Sequence, residues 1–172
     1  MQTIFIILTI LFILPILVGW FLKRTITVIE SRLYKQQPAQ LFSVVQDLAS
    51  WNNWSAWSVH NDSSIEILFG EKHKGPGASF EWKGKKMGKG KMEIIQASTG
   101  KKLTIESGFN ARKFKVQHQV VFNTNDTGCQ VVWTAEVKTK YSSIARILGR
   151  LFMRSLRRDI SIGLQLLEQV VQ

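Results

Sequence analysis

The sequence predicts an α+β fold: a curved antiparallel sheet of seven strands holding a long C-terminal helix, preceded by one transmembrane helix. Three observations predict it. Residues 25–139 fall into successive segments in which apolar and polar residues alternate, separated by turn residues. The final segment, 156–171, repeats Leu156, Ile160, Leu164, Leu167 and Val171 at intervals of three or four, with Gly163 and Val170 beside them, so one side of a helix is apolar. Residues 3–22 carry no charge. A lone helix cannot bury the C-terminal stripe, and the strands supply the surface it needs.

A chain of 172 residues, 45% of them hydrophobic, suffices for one core and one further segment, so residues 1–22 read as an anchor and 23–172 as one domain. The single cysteine, Cys129, has no internal partner for a disulfide, and no Cys/His group has metal spacing, so no metal site and no cofactor are expected. The net charge of +11 is uneven, because all 23 Lys and Arg lie at or after Lys23.

The run TIFIILTILFILPILVGWFL, residues 3–22, is about the 20 apolar residues that a helix needs to cross a bilayer. Pro15 is tolerated inside it, and Trp20 falls at the interface. The chain opens MQT without a basic stretch and has no small-x-small site before Lys23, which favours a retained anchor over a cleaved signal. Lys23 and Arg24 follow the span, with Arg32 and Lys35 close behind, and none precedes it; positive residues stay inside, which places the domain in the cytoplasm as part of a single-pass membrane protein.

Strand one is expected over 25–36, starting so near the span that no flexible linker intervenes. Pro38 suits the first turn of a helix whose apolar side is Leu41, Phe42, Val44, Val45 and Leu48. Trp51, Trp54 and Trp57, three apart, read as core. After a turn at Asn61 and Asp62, strand two covers 65–70, Gly75, Pro76 and Gly77 turn the chain, and strand three covers 78–84 with Ala78, Phe80 and Trp82 on one face. A hairpin carrying Lys83, Lys85, Lys86, Lys89 and Lys91 leads into strand four, 90–98. Strand five, 102–109, places Leu103, Ile105, Ser107 and Phe109 together; strand six, 113–123, opposes Phe114, Val116, His118, Val120 and Phe122 to Lys113, Lys115, Gln117 and Gln119. Asn125 to Gly128 make a turn into strand seven, 129–139, with Cys129, Val131, Trp133, Ala135 and Val137 inward.

The runs PAQLFSVVQDLASWNNWSAW, GPGASFEWKGKKMGKGKMEI, GCQVVWTAEV and GRLFM resemble the polyketide cyclase/dehydrase branch of the START-like (SRPBCC) superfamily, over residues 25–171. The resemblance implies a helix-grip fold, in which a seven-stranded curved sheet wraps the last helix and leaves an apolar cavity between them. It implies no activity, because the superfamily includes lipid carriers, receptors and cyclases with no shared catalytic set.

The residues themselves offer little chemistry. There is no Gly-rich phosphate loop, no GxSxG elbow and no HExxH, and of the three histidines, 60, 73 and 118, only His118 lies on an apolar strand face. His118 is the one candidate for proton transfer, or for a polar contact to a ligand. Glu106 and Glu136 fall on the outward parity of their strands. The inward residues Trp82, Ile105, Phe109, Val116, His118 and Trp133 are expected to wall the cavity, apolar with one polar group as small-molecule sites commonly are.

From Lys138 to Arg158 there are seven basic residues and no acid, with Arg146, Arg150 and Arg154 along one side of a helix. Ile144, Ile147, Leu148 and Leu151 make an apolar face about a quarter turn from the stripe after 156, so the helix is expected to break near 154–158. Its first piece, with Lys23 and Arg24, would lie on an anionic lipid surface. The expected function is a membrane-anchored, non-enzymatic domain binding an apolar or amphipathic small molecule such as a lipid. The alternative is a polyketide cyclase-like enzyme using His118 in the same cavity. Nucleic acid is not an expected partner, since no nucleic-acid motif accompanies the charge.

Overall fold

A computed structural model describes residues 2–109 and 114–171, without the side chains at positions 3, 5–10, 12 and 15. The chain runs α1 (Gln2–Phe21), β1 (Thr25–Tyr34), α2 (Pro38–Val45), a 3₁₀ turn (Leu48–Ser50), α3 (Trp51–Trp54), β2 (Glu66–Phe69), β3 (Ser79–Gly84), β4 (Gly88–Ser98), β5 (Lys102–Phe109), β6 (Phe114–Asn125), β7 (Gly128–Lys138) and α4 (Ser143–Val170). All seven strands form one antiparallel sheet in the order β1-β7-β6-β5-β4-β3-β2. Hairpins join β2 through β7 in succession. β1 closes the far edge against β7, so each terminal part of the domain meets the other.

The sheet curves around α4. A register shift between Ile94 and Gln96 inserts one extra residue in β4, which bends that strand and increases its twist. On the concave side, alternation delivers an apolar interior that includes Phe80, Met92, Ile94, Leu103, Ile105, Val120, Val131 and Ala135, all buried. Against it α4 sets Met153, Leu156, Ile160, Leu164 and Leu167. Polar ties then fix the helix on β1: the Tyr34 hydroxyl donates to the Leu164 carbonyl at 2.6 Å, Arg32 meets Glu168 at 2.6 Å, and Arg157 pairs with Glu30.

α4 is one uninterrupted helix of 28 residues, and the expected break near 154–158 is absent. The reason lies in Gly149. A Cβ there would come within 2.6 Å of Thr139 Cγ2, so the helix approaches the end of β7 at a residue with no side chain. Gly149 and Met153 therefore extend the buried stripe of Leu156 and Ile160 straight back toward the N-terminus. Ile144, Leu148 and Leu151, which as hydrophobic residues suggested a different face, are 57%, 50% and 54% exposed.

α1 meets the start of α4 at a close joint. A Cβ on Gly19 would lie 2.5 Å from Ser143 Cβ, so only glycine admits this approach. Arg146 donates to the carbonyls of Gly19, Trp20 and Leu22, and Arg150 to that of Lys23, supplying donors to the end of a helix whose last carbonyls have no partner within it. The described large side chains of α1 between Ile4 and Phe21 are exposed. Among the described residues no helix is long and apolar enough to cross a membrane. The expected span, 3–22, falls in part on side chains outside the description, Pro15 among them, and the expected start of β6 at Lys113 lies outside it as well.

Candidate ligand-binding site

The space between sheet and α4 is filled at one end and open at the other. At the filled end α3 inserts between β7 and α4. Its four residues are too few to stand alone, but each tryptophan finds aromatic neighbours. Trp51 lies 5.0 Å from Trp54, 5.6 Å from Trp133, 6.1 Å from Trp57 and 6.2 Å from Phe80, ring centre to ring centre. Such edge and tilted contacts add about 0.5–1.5 kcal/mol each beyond burial. The Trp51 indole donates to the Val45 carbonyl at 2.9 Å, so this large ring is buried with its polar atom satisfied.

His118 belongs to this packed interior. Tryptophan only donates, so the bond from Trp133 Nε1 to His118 Nδ1 at 3.2 Å makes that nitrogen an acceptor. The proton then sits on Nε2, which donates to Ser107 Oγ at 2.7 Å. Both ring nitrogens are thus engaged, and burial lowers the pKa of the imidazole to about 3. A neutral ring held from both sides orients its neighbours. Ser107 accepts from this histidine, so it is not activated as a nucleophile, and among the described residues no carboxylate hydrogen-bonds to either of them.

The aromatic chain continues outward from Phe80 to Trp82, then to Phe109 at 5.2 Å from Trp82, Phe152 at 4.8 Å from Phe109, and Phe114 stacked on Phe152 at 5.6 Å. Here the packing stops. A pocket of about 690 Å³ opens between the end of β5, the start of β6, the β3–β4 hairpin and α4, with Phe109, Phe114, Phe152 and Leu156 as its apolar wall. Among the described residues no element crosses this end as α3 crosses the other. Asp62 holds the hairpin that forms one side: its carboxylate accepts from the backbone of Ser64, Lys86 and Met87 and from the Ser64 hydroxyl, and these bonds keep it well below the usual carboxylate range.

The rim is charged. Lys86, Lys89, Arg158 and Asp159 line it, with Lys86 Nζ held by Asn61 Oδ1 at 2.6 Å. Asp159 is half-buried, and desolvation pushes its carboxyl up against the opposing pull of Arg158 and Lys86.

A second hollow of about 640 Å³ lies along β2, β3 and β4, where Glu66 and Glu81 stand among Lys83, Lys89 and Lys91. Glu81 stands opposite Lys91 and Glu66 opposite Lys83 across the strands, while Lys89, at the start of β4, borders both this hollow and the pocket. Such pairing is what the outer face of a half-solvated sheet ordinarily carries.

The six residues expected to wall a cavity are all buried, but they are not all together. Ile105, Val116, His118 and Trp133 lie in the packed interior, Trp82 lies between the two ends and touches the outer hollow, and Phe109 lines the open pocket. Phe114, Phe152, Leu156 and Asp159 complete the pocket without having been assigned to it. Phe152 stands four residues before Leu156, next to the stripe, and Asp159 is the first acid after the long basic run, so each left a trace in the sequence. Of the basic residues expected at a membrane surface, Arg146 and Arg150 hold the end of α1, Arg24 stacks on Tyr141 with its guanidinium carbon 3.5 Å from the ring centre, and Arg154 is exposed, as is Lys23. Among the described residues no group of three or more His, Cys, Asp and Glu is placed to hold a metal ion.

The family model described as polyketide cyclase/dehydrase and lipid transport matches residues 25–172. Solved structures share the fold. A protein of unknown function from Staphylococcus aureus superposes with a TM-score of 0.63 at 13% identity, covering 86% of this chain and 96% of that one. A protein from Mesorhizobium loti gives 0.61 at 13%, covering 85% and 96%, and one from Mycobacterium smegmatis 0.59 at 13%, covering 87% and 91%. At these identities the likeness shows the fold alone. No curated protein matches the sequence.

Proposed function

The chain belongs to the polyketide cyclase/dehydrase and lipid transport family, and on that footing we propose that it is a membrane-anchored domain binding an apolar or amphipathic small molecule, such as a lipid, between its sheet and α4. The observation that carries this reading is the pocket of about 690 Å³ faced by Phe109, Phe114, Phe152 and Leu156, a size and lining suited to one small molecule. Residues 3–22 are the anchor in this reading. Their freedom from charge supports it, as do the exposed apolar side chains of α1 and the Lys23–Arg24 pair that would keep the domain on the cytoplasmic side. Arg24, Arg154 and the exposed Ile144, Leu148 and Leu151 would then rest on anionic headgroups, with Arg146 and Arg150 fixing the angle between anchor and domain. Binding rather than catalysis is favoured by His118, whose two nitrogens are already engaged.

The test uses the full chain in phosphatidylcholine vesicles with a diazirine-bearing fatty alcohol. Cross-linking should map to the peptide that carries Phe152–Ile162 and fall when Ser155, exposed at the pocket wall, is replaced by Trp. Labelling confined to residues 3–22, with none in α4, would refute the site.

A further inference from the structure

We infer that the pocket takes an amphiphile with an anionic head, its acyl or aryl body against Phe109, Phe114 and Phe152 and its head at Lys89 and Arg158. This rests on the ligand-binding reading above and names the class of ligand. Three cations and one acid line the rim of a hollow whose floor is apolar. Lys86 is committed to Asn61 through both the backbone and the side-chain oxygen. Among the described residues, Lys89 and Arg158 have neither an ion pair nor a side-chain hydrogen bond, although both border the pocket. A neutral ligand would leave both exposed cations without a partner beside the apolar wall, and a cationic head would meet three like charges. A carboxylate or phosphate instead gains charge-assisted hydrogen bonds, with the guanidinium able to grip two oxygens at once.

Asp159 sharpens the discrimination. It neighbours Arg158 on α4, faces Lys86, and lies partly out of water, so its charge is costly there and its carboxyl is pushed toward the neutral form. In its ionised form it repels an incoming anion. The pocket therefore accepts an anion at the outer rim, by Lys89 and Arg158, more readily than deeper by Asp159. The shared chemistry is an acyl chain with an anionic head, whether a free fatty acid or an anionic phospholipid of the adjacent leaflet.

The experiment compares diazirine probes of one chain length ending in a carboxylate, an alcohol or a trimethylammonium group, with the full chain in phosphatidylcholine vesicles at mildly alkaline pH. The readout is labelling of the peptide containing Phe152–Ile162. The carboxylate should label about tenfold more than the alcohol, the effect of one good charged hydrogen bond. Lys89→Gln with Arg158→Gln should reduce it to the level of the alcohol, Arg158→Lys should keep most of it, and Asp159→Asn should raise it. These residues lie at the surface or half-buried, and the alcohol probe reports on each variant whether the pocket is still formed. A diazirine phosphatidylglycerol in the vesicle distinguishes the sources: its labelling marks the bilayer, and labelling by the free acid alone marks a soluble ligand, either result supporting an anionic head. Equal labelling by carboxylate and alcohol, a preference unchanged in the double variant, or preference for trimethylammonium would overturn the inference while leaving the pocket intact. No labelling by any probe, the alcohol included, would overturn the ligand-binding reading and this inference with it.

Discussion

The two ends of the space under α4 are made of the same materials and differ in what was laid across them. Both have alternating strands on one side, an apolar helix stripe on the other, and aromatic rings between. At one end α3 brings Trp51 and Trp54 into the gap, where they close on Trp133 and Phe80. At the other, the described ring contacts of Phe109, Phe114 and Phe152 are with one another and with Trp82, and the gap continues to the surface. A helix-grip fold therefore does not determine a cavity by itself. Four residues of helix decide which part of the grip is core and which is pocket.

Mutations should separate the two ends. Trp51→Ala removes a fully buried indole at the closed end and should cost about 3–5 kcal/mol in denaturant unfolding. Phe152→Ala, half-buried at the open end, should cost only about 1–2 kcal/mol while strongly reducing probe labelling. Equal costs would mean that the open end is as much core as the closed one.

Protonation gives a second contrast. His118 titrates near 3 in the folded chain against 6.5 for a free imidazole, so below pH 6.5 the unfolded state binds a proton that the folded state refuses. Its effect on stability is absent above 6.5, and stability falls by about 1.4 kcal/mol per pH unit as pH drops from there toward 3. His118→Gln should flatten that slope, measured by unfolding across the window. Asp159, at the open end, shifts the other way, because its folded carboxyl holds its proton to higher pH than the unfolded one.

Much of this was legible in the sequence. Period-two alternation with Asn-Asp-Thr-Gly and Gly-Pro-Gly turns placed the strands within a few residues, because side-chain parity is a local property of the chain. Depth is not local. Parity placed Val116, His118 and Trp133 on the inner face correctly, but it says nothing of how far along the sheet a residue lies, so residues from the packed end were grouped with Phe109 from the open end. The helix misled for a related reason. Hydrophobicity was counted at Ile144, Leu148 and Leu151, whereas contact with the sheet passes through Gly149, which a hydrophobic count ignores.

Smaller effects test the edges of the account. Ser155→Trp should close the pocket to the probe and leave stability within about 0.5 kcal/mol, as exposed substitutions usually do. Arg146→Ala should cost about 0.5–1 kcal/mol, seen as faster hydrogen exchange of the amides around Leu22 and Lys23 where α1 joins the domain.

The most direct measurement is fluorine NMR of the full chain carrying fluorotryptophan or fluorophenylalanine, titrated with a fatty acid. Resonances of Phe109, Phe114 and Phe152 should move, and those of Trp51, Trp54 and Trp133 should stay in place. Tryptophan signals from the packed end shifting while the three phenylalanines remain still would contradict the account.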